Sequence, residues 1–493
     1  MKPNIVFILS DDHSYFGINK ECCSIISPAL NNLADEGAYF KNCFCASPVC
    51  SPARASILTG MLPSAHGVHD WIVSGNVNYD DLPETVKSRS ALKNNERTAI
   101  DFIGQFETYT DILAQNGYDM ALSGKWHLGD TAKKRKGFSY WNVILRGGCS
   151  YKDYDLYNNG DFERHTQYIT DKITDNAIEY LQNRRKDRPF YLGVHYTAPH
   201  TPWNKNEHKN EIWRLYEKDD FPQLKFDIPI HRDSILHDFI GDTEEKRLEY
   251  IRGYFSAITA MDKNIARLLA ELKRQNLLEN TLIVFTGDNG MNLGHHGIWG
   301  KGNGTYPQNF YEESVKVPLI LYHKGTILPA TYSSLVSHLD IFHTILDYAH
   351  IDTENGKTLR QTKLPGKSLI PLFEGKPVIR DSVPIASEYG AVRMLRTERY
   401  KLIKNYIDNR DGFYDLKIDP QEKINRIDEQ SCKPVIQQMT DKINSIFEKY
   451  SIDNHNGKYQ FPKGMGQTAR VRKTDGTGSF KQTIHMYWDK QKK

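Results

Sequence analysis

The sequence predicts an α/β protein: a large mixed, mostly parallel sheet sandwiched by helices, followed by a smaller C-terminal α+β subdomain. Three observations carry this prediction. Short, β-branched apolar runs recur along the chain, and they are continuous rather than alternating, as in strands covered on both faces. Helical spacing of apolar residues lies between them. Near residue 375 the texture shifts to turn-rich chain and shorter strands.

Four runs read as buried strands: Asn4 to Leu9, Tyr191 to Tyr196, Thr281 to Phe285, and Val317 to Tyr322. Between the second and third, Ile265, Leu268, Leu269 and Leu272 stand at i, i+3, i+4 and i+7, the apolar stripe of a helix. Asp262 is expected to place acidic charge near that helix's start, unless the helix begins further upstream. After the turn-rich Leu364–Leu369 and Glu374–Pro377 come three shorter strand candidates, Val392–Leu395, Tyr400–Lys404 and Gly412–Leu416. A last helix carries Val435, Met439, Ile443, Ile446 and Phe447 on one stripe.

The 493 residues are 39% hydrophobic and 25% charged. That is globular composition with apolar side chains for a large core, and it excludes disordered, collagen-like and coiled-coil chains. The length corresponds to two or three domains as a prior. A net charge of +3 does not favour a nucleic-acid partner, and no apolar run is long enough to span a bilayer. The first residues lack a secretory leader, which points to a cytoplasmic protein, or to a secreted or periplasmic one whose leader has been removed. Seven cysteines in so long a chain do not form a disulfide framework. Cys22-Cys23 and Cys43-x-Cys45 match no common zinc spacing. Residues 456–493 carry nine Lys/Arg against two Asp/Glu, together with Phe461, Phe480, Tyr487 and Trp488. This tail reads either as a strap docked by its aromatics or as a basic lip over an anionic-substrate site or an arm onto a neighbouring subunit.

Carboxylates and amides sit at strand ends. Asp11 and Asp12 follow the first strand; Asp288 and Asn289 follow the third. Ligands of open α/β sheets bind outside the carboxyl ends of the strands. If these pairs meet, they offer three carboxylates and an amide oxygen, hard donors suited to Ca²⁺ or Mg²⁺ rather than Zn²⁺. Taken singly, either pair more commonly marks a helix cap or a turn.

The segment from Ser47 to Gly60 contains Cys50-Ser51-Pro52-Ala53-Arg54, a C-x-P-x-R pattern continuing into A-S-I-L-T-G. It resembles the signature of the type I, formylglycine-dependent sulfatases of the alkaline-phosphatase-like superfamily. Further landmarks follow in order: Ser123 to Gly129 (S-G-K-W-H-L-G), His195 to Pro202 (ending P-H-T-P), Thr286 to Gly290, Gly294 to Lys301, and Phe413 to Pro420. The resemblance spans roughly residues 3 to 425 and excludes the tail. It implies a sulfatase catalytic domain over 1–380, a C-terminal α+β subdomain with an antiparallel sheet over 381–455, and a basic tail over 456–493 that packs on the core or a neighbouring subunit.

The resemblance also implies a mechanism. A separate maturase would oxidise Cys50 to Cα-formylglycine, whose hydrate attacks sulfur with one hydroxyl and expels sulfate through the other. Asp11, Asp12, Asp288 and Asn289, with residue 50, would hold a divalent ion, calcium with magnesium as the alternative. Residue 50 should open a helix, whose free N–H groups favour an anion. Arg54 would orient the residue-50 oxygen, and Lys125 and Lys301 would contact the sulfate. His127 would be the base of the release step. His200 would contact sulfate and protonate the leaving group, shared with Lys301. His296 is expected among the substrate contacts, and His66, His69, Asp70, Trp71 and Arg146 are candidates for the leaving-group pocket. Lys133–Lys136 reads as a solvated loop, and Ser139 replaces an acid usual in the family's G-F-D element.

The implied reaction is hydrolysis of a sulfate monoester, on a carbohydrate such as a sulfated glycan oligosaccharide. The alternatives are a phosphonate monoester or phosphodiester hydrolase of the same superfamily, and a catalytically silent glycan-binding homologue. Neither nucleic acid nor membrane is implied as a partner, and the oligomeric state is left open.

Overall fold

The computed structural model describes residues 2–88, 96–226, 228–235, 239–351, 364–377, 380–459, 466–471 and 479–480. Ten strands form one sheet: β1 (Asn4–Ser10), β2 (Ala38–Phe44), β3 (Asp119–Gly124), β4 (Phe138–Ile144), β5 (Tyr154–Asn158), β6 (Asp161–His165), β7 (Phe190–His195), β8 (Thr281–Gly287), β9 (Lys316–Tyr322) and β10 (Ala330–Ser337). Their spatial order is β10-β2-β9-β8-β1-β7-β3-β4-β5-β6. The centre is parallel: β1 lies between β7 and β8, β7 pairs with β3, and β3 with β4.

The four apolar runs are the heart of this sheet. Ile5, Val6, Phe7, Ile8 and Leu9 are at most 1% exposed, each contributing about 1.5–3 kcal/mol by burial. Alternate residues feed two separate cores: Ile5, Phe7 and Leu9 on one face, Val6 and Ile8 on the other. One expectation is corrected. Val317–Tyr322 is as buried as a parallel strand, yet β9 runs antiparallel to both β8 and β2. Continuous apolarity reports cover on both faces, not strand direction.

Helices cover both faces: α1 (Pro28–Glu36), α2 (Cys50–Thr59), α3 (Tyr109–Gln115), α4 (Ile169–Asn183), α5 (Glu244–Arg274) and α6 (His338–Tyr348). The stripe at Ile265–Leu272 belongs to α5, which spans 31 residues and starts at Glu244. Asp262 is therefore mid-helix, and its carboxylate serves another helix. It accepts the Ala29 and Leu30 N–H groups at 3.1 and 2.8 Å, at the start of α1, where unpaired donors and the helix dipole favour negative charge.

A second, antiparallel sheet runs β11 (Ser382–Ser387), β12 (Val392–Thr397), β13 (Tyr400–Asn405) and β14 (Gly412–Asp415) in that order. Helix α7 (Lys433–Tyr450) lays Met439, Ile443 and Phe447 onto it, and their cluster includes Leu62 and Leu339 of the main body. Among the described residues no helix is long and apolar enough to cross a membrane.

The described part of the tail docks on the core. Gln467 is fully buried, and Phe480 packs on Tyr389 and Val471. Phe461, Tyr487, Trp488 and most of the tail's basic residues lie outside the described residues. The 133–136 loop is anchored rather than freely solvated: Arg135 reaches Asp111 at 2.6 Å, on the first turn of α3.

Candidate active site

Sheet register brings the predicted residues together. Ser10 at the end of β1 is level with Gly287 at the end of β8, and Leu9 is level with His195, itself level with Gly124 of β3. The residues just past these ends, Asp11-Asp12, Asp288-Asn289 and Lys125, thus emerge on one edge. Cys50 is the first residue of α2, whose ten residues are all buried, and it faces the same edge.

The geometry is tight. Asp288 Oδ1 accepts the Asp12 and Asn289 N–H groups at 3.0 and 2.8 Å. Arg54 Nε donates to Asp288 Oδ2 at 2.8 Å, and its Nη1 to the Lys125 carbonyl at 2.9 Å. Lys125 Nζ reaches Asp11 Oδ2 at 2.5 Å. Lys301 Nζ lies 2.6 Å from Asp12 Oδ1 and 2.6 Å from Cys50 Sγ. Carboxylate oxygens of Asp11, Asp12 and Asp288 converge within 4.8 Å of one another, as do ligand atoms of Asp11, Cys50 and His200. Oδ1 of Asp11 and Oδ1 of Asn289 are buried without a hydrogen-bond partner, an arrangement rare in folded proteins unless something else is to be bound.

Burial sets the electrostatics. It pushes the Cys50 thiol up to about 12 despite Lys125 and Lys301 nearby. It also works most strongly against ionisation of Asp11, but the charges of Lys125, His200 and Arg54 together outweigh it and hold that carboxyl below its ordinary range. Burial disfavours the Lys301 ammonium, yet Asp12 and its neighbours more than compensate and raise it well above the usual value. Three carboxylates thus meet three cations, Arg54, Lys125 and Lys301. A divalent ion added to that balance leaves a net positive site for an anion.

The histidines take different positions. His127 Nε2 donates to the Ile72 carbonyl at 2.9 Å, so Nδ1, buried without a partner, carries the lone pair. Burial holds this imidazole neutral to well below the usual range. His200 donates from Nδ1 to the Thr201 carbonyl at 2.8 Å, and its Nε2 stands 3.7 Å from Asp12 Oδ2. Asp12, Cys50, His127, His200 and Lys301 floor a cavity of about 520 Å³. Its walls are Trp71, Ile72, Val73, Trp203, Phe239, Met291 and Trp299, with Arg146 among them.

Several candidates fall elsewhere. His296 is outside this cavity: its ring stacks on Tyr311 at 3.7 Å and its Nε2 pairs with Glu313 at 3.2 Å. His66 is hydrogen-bonded to Ser56, and His69 to the His455 carbonyl. Asp70 holds the Gly466 N–H at 2.8 Å. These three are buried behind the wall that Trp71 presents. Sequence reasoning overlooked most of the aromatic wall, although Trp203 directly follows the P-H-T-P element and Trp299 stands two residues before Lys301. It also overlooked Gln467, which clamps that wall. Its Oε1 accepts the His69 N–H at 2.8 Å, its Nε2 donates to the Gly67 carbonyl at 3.1 Å, and its backbone bonds Trp71 and Val73.

The family profile described as Sulfatase matches residues 3–351. The chain belongs to the sulfatase family. A second profile, the C-terminal part of N-sulphoglucosamine sulphohydrolase, matches residues 294–449. As a sulfatase the protein is a sulfuric ester hydrolase on the alkaline-phosphatase-like fold, as its motifs implied. It is similar to an N-acetylglucosamine-6-O-sulfatase of Bacteroides thetaiotaomicron, 28% identical over 86% of this chain and 82% of the relative. Among solved structures it resembles a protein in complex with its substrate D-glucosamine-2-N,6-O-disulfate, with a TM-score of 0.74 and 25% identity, covering 91% of this chain and 98% of the other. A phosphonate monoester hydrolase of Agrobacterium radiobacter shares the fold, with a TM-score of 0.64 at 18% identity, covering 91% of this chain and 96% of the other.

Proposed function

We propose that this sulfatase acts on a sulfated carbohydrate, releasing sulfate and a free sugar hydroxyl. One observation carries the reading: Asp12, Cys50 and Lys301, at the edge of the three-carboxylate cluster, floor a cavity whose walls include three tryptophans and a phenylalanine, and aromatic faces suit the apolar faces of a sugar ring. The similarity to an N-acetylglucosamine-6-O-sulfatase supports it.

The residues present fit a divalent ion and an oxidised residue 50. Asp11, Asp12, Asp288 and Asn289 would hold the ion together with residue 50, since the orphaned oxygens of Asp11 and Asn289 are donors awaiting a partner. The all-oxygen set favours calcium, with magnesium as the alternative. When present, the ion polarises a sulfate oxygen, and the aldehyde made from Cys50 by a maturase supplies, once hydrated, the attacking hydroxyl.

The chain's own groups do the rest. Arg54 is locked by Asp288 and the Lys125 carbonyl, and its buried Nη2 has no partner, leaving it free to orient residue 50. Lys125 and Lys301 present ammonium groups to sulfate oxygens. His127 takes a proton at Nδ1, the lone pair fixed by the Ile72 carbonyl. As an imidazolium, its Nδ1–H committed to the Thr201 carbonyl, His200 would give its Nε2 proton to the departing sugar oxygen.

The test compares kcat/KM on regiochemically defined sulfated mono- and disaccharides with that on an aryl phosphonate, using protein whose oxidation at Cys50 is confirmed by mass. A preference for one sulfated sugar is expected. A preference for the phosphonate assigns the protein to the alternative hydrolase activity.

A further inference from the structure

The segment Arg146-Gly147-Gly148 lies against both histidines of the site. A Cβ at Gly147 would fall 2.1 Å from the His127 ring, and one at Gly148 would fall 3.2 Å from that of His200. The absence of side chains there lets the loop close onto the two rings, which sets Arg146 on the cavity wall beside them.

Arg146 is held rather than loose. Its Nε faces Glu96 Oε1 at 3.4 Å and its Nη2 donates to the Val73 carbonyl at 3.1 Å. Glu96 is itself fixed: its carboxylate accepts the Gly75 and Asn76 N–H groups and the Asn76 amide, at 2.9, 3.0 and 2.8 Å. Nη1 has no partner among the described residues, and the side chain keeps 23% of its exposure.

The sulfate end of the cavity already holds Lys301 and the two histidines, and the walls around Arg146 are largely apolar. A guanidinium so placed is surplus to the scissile sulfate, and in an apolar cleft it pairs strongly with an anion. We propose that Arg146 is a specificity-determining residue that reads a second anionic group, a sulfate or a carboxylate, on the sugar being desulfated. The inference deepens the carbohydrate sulfatase reading and rests on it.

The experiment uses three substrates: a monosulfated hexosamine, the same sugar with a second sulfate, and the same sugar linked to a uronate. Wild-type enzyme is expected to favour at least one dianionic substrate by tenfold or more in kcat/KM. Arg146→Ala should erase that preference through KM while leaving the monosulfated sugar within about threefold. Calorimetry of the same sugars with Cys50→Ala protein reads the preference without turnover. Which dianion responds identifies sulfate or carboxylate as the group read. Equal losses on all three substrates, or a wild-type enzyme and a Cys50→Ala protein both indifferent to the second anion, overturn the role of Arg146. A dianion preference in binding with no hydrolysis of any sugar sulfate keeps that role and overturns the catalytic reading instead.

Discussion

Lys301 Nζ stands 2.6 Å from Cys50 Sγ, and at the same distance from Asp12 Oδ1. One ammonium therefore joins the residue proposed as the nucleophile's precursor to the carboxylate cluster beside it. Removing it should cost catalysis more than stability. Lys301→Ala is expected to lower kcat by about 10²–10³, the range for deleting one preorganised charge from an active site. Circular dichroism should remain that of the wild type.

Arg54 predicts the reverse balance. Its guanidinium is 2% exposed and its partner Asp288 fully buried. Arg54→Ala leaves a buried carboxylate uncompensated, which costs about 3–5 kcal/mol. A fall in Tm of several degrees together with loss of turnover is expected, and thermal denaturation reads it.

Metal removal should separate activity from folding. Asp11, Asp12 and Asp288 keep Lys125, Lys301 and Arg54 as partners, so ion-free protein stays folded. Chelation is expected to abolish turnover and lower Tm, by an amount worth about 2.7 kcal/mol for an ion at a hundredfold excess over its Kd. Added calcium should restore both. Turnover unaffected by exhaustive chelation would contradict the proposed ion.

Asp70 supplies a pH signature. Burial raises its carboxyl from 3.8 to about 7. Because the folded value lies above the unfolded one, the stability tied to its neutral form is whole below about pH 4 and is lost as pH climbs to 7. The span is on the order of 4 kcal/mol. Asp70→Asn keeps an acceptor for the Gly466 N–H and cannot ionise. Its Tm should match wild type near pH 4 and exceed it at pH 8. Parallel Tm curves across that range would refute the assignment.

Gln467→Ala removes side-chain bonds to His69 and Gly67 behind the wall that holds the Ile72 carbonyl on His127. A loss of about 1–3 kcal/mol in stability is expected. Turnover should fall too, and differential scanning calorimetry alongside steady-state kinetics checks both.

Much of the site was readable in the sequence because its groups stand at strand ends, where local apolar runs announce themselves. Asp11, Asp12, Asp288 and Asn289 needed only neighbouring strands to meet, and β1 lies directly beside β8. What escaped depends on distant pairing. Asp262 looked like acidic charge near the start of its own helix and serves α1, more than 200 residues away. His296 sits five residues from Lys301, yet its left-handed backbone (φ 55°) turns it toward Tyr311. Gln467 carries no local signal, since its meaning comes entirely from what it touches.

The hydrogen bond from His69 to Gln467 links residues 398 positions apart. At ribosomal rates of about 5–20 residues per second, the second partner is synthesised roughly 20–80 s after the first. Throughout that interval the 67–73 wall lacks its clamp. If residue 50 is oxidised on the nascent chain by the proposed maturase, that interval is the time in which the thiol is reached, and a Gln467 variant would lengthen it.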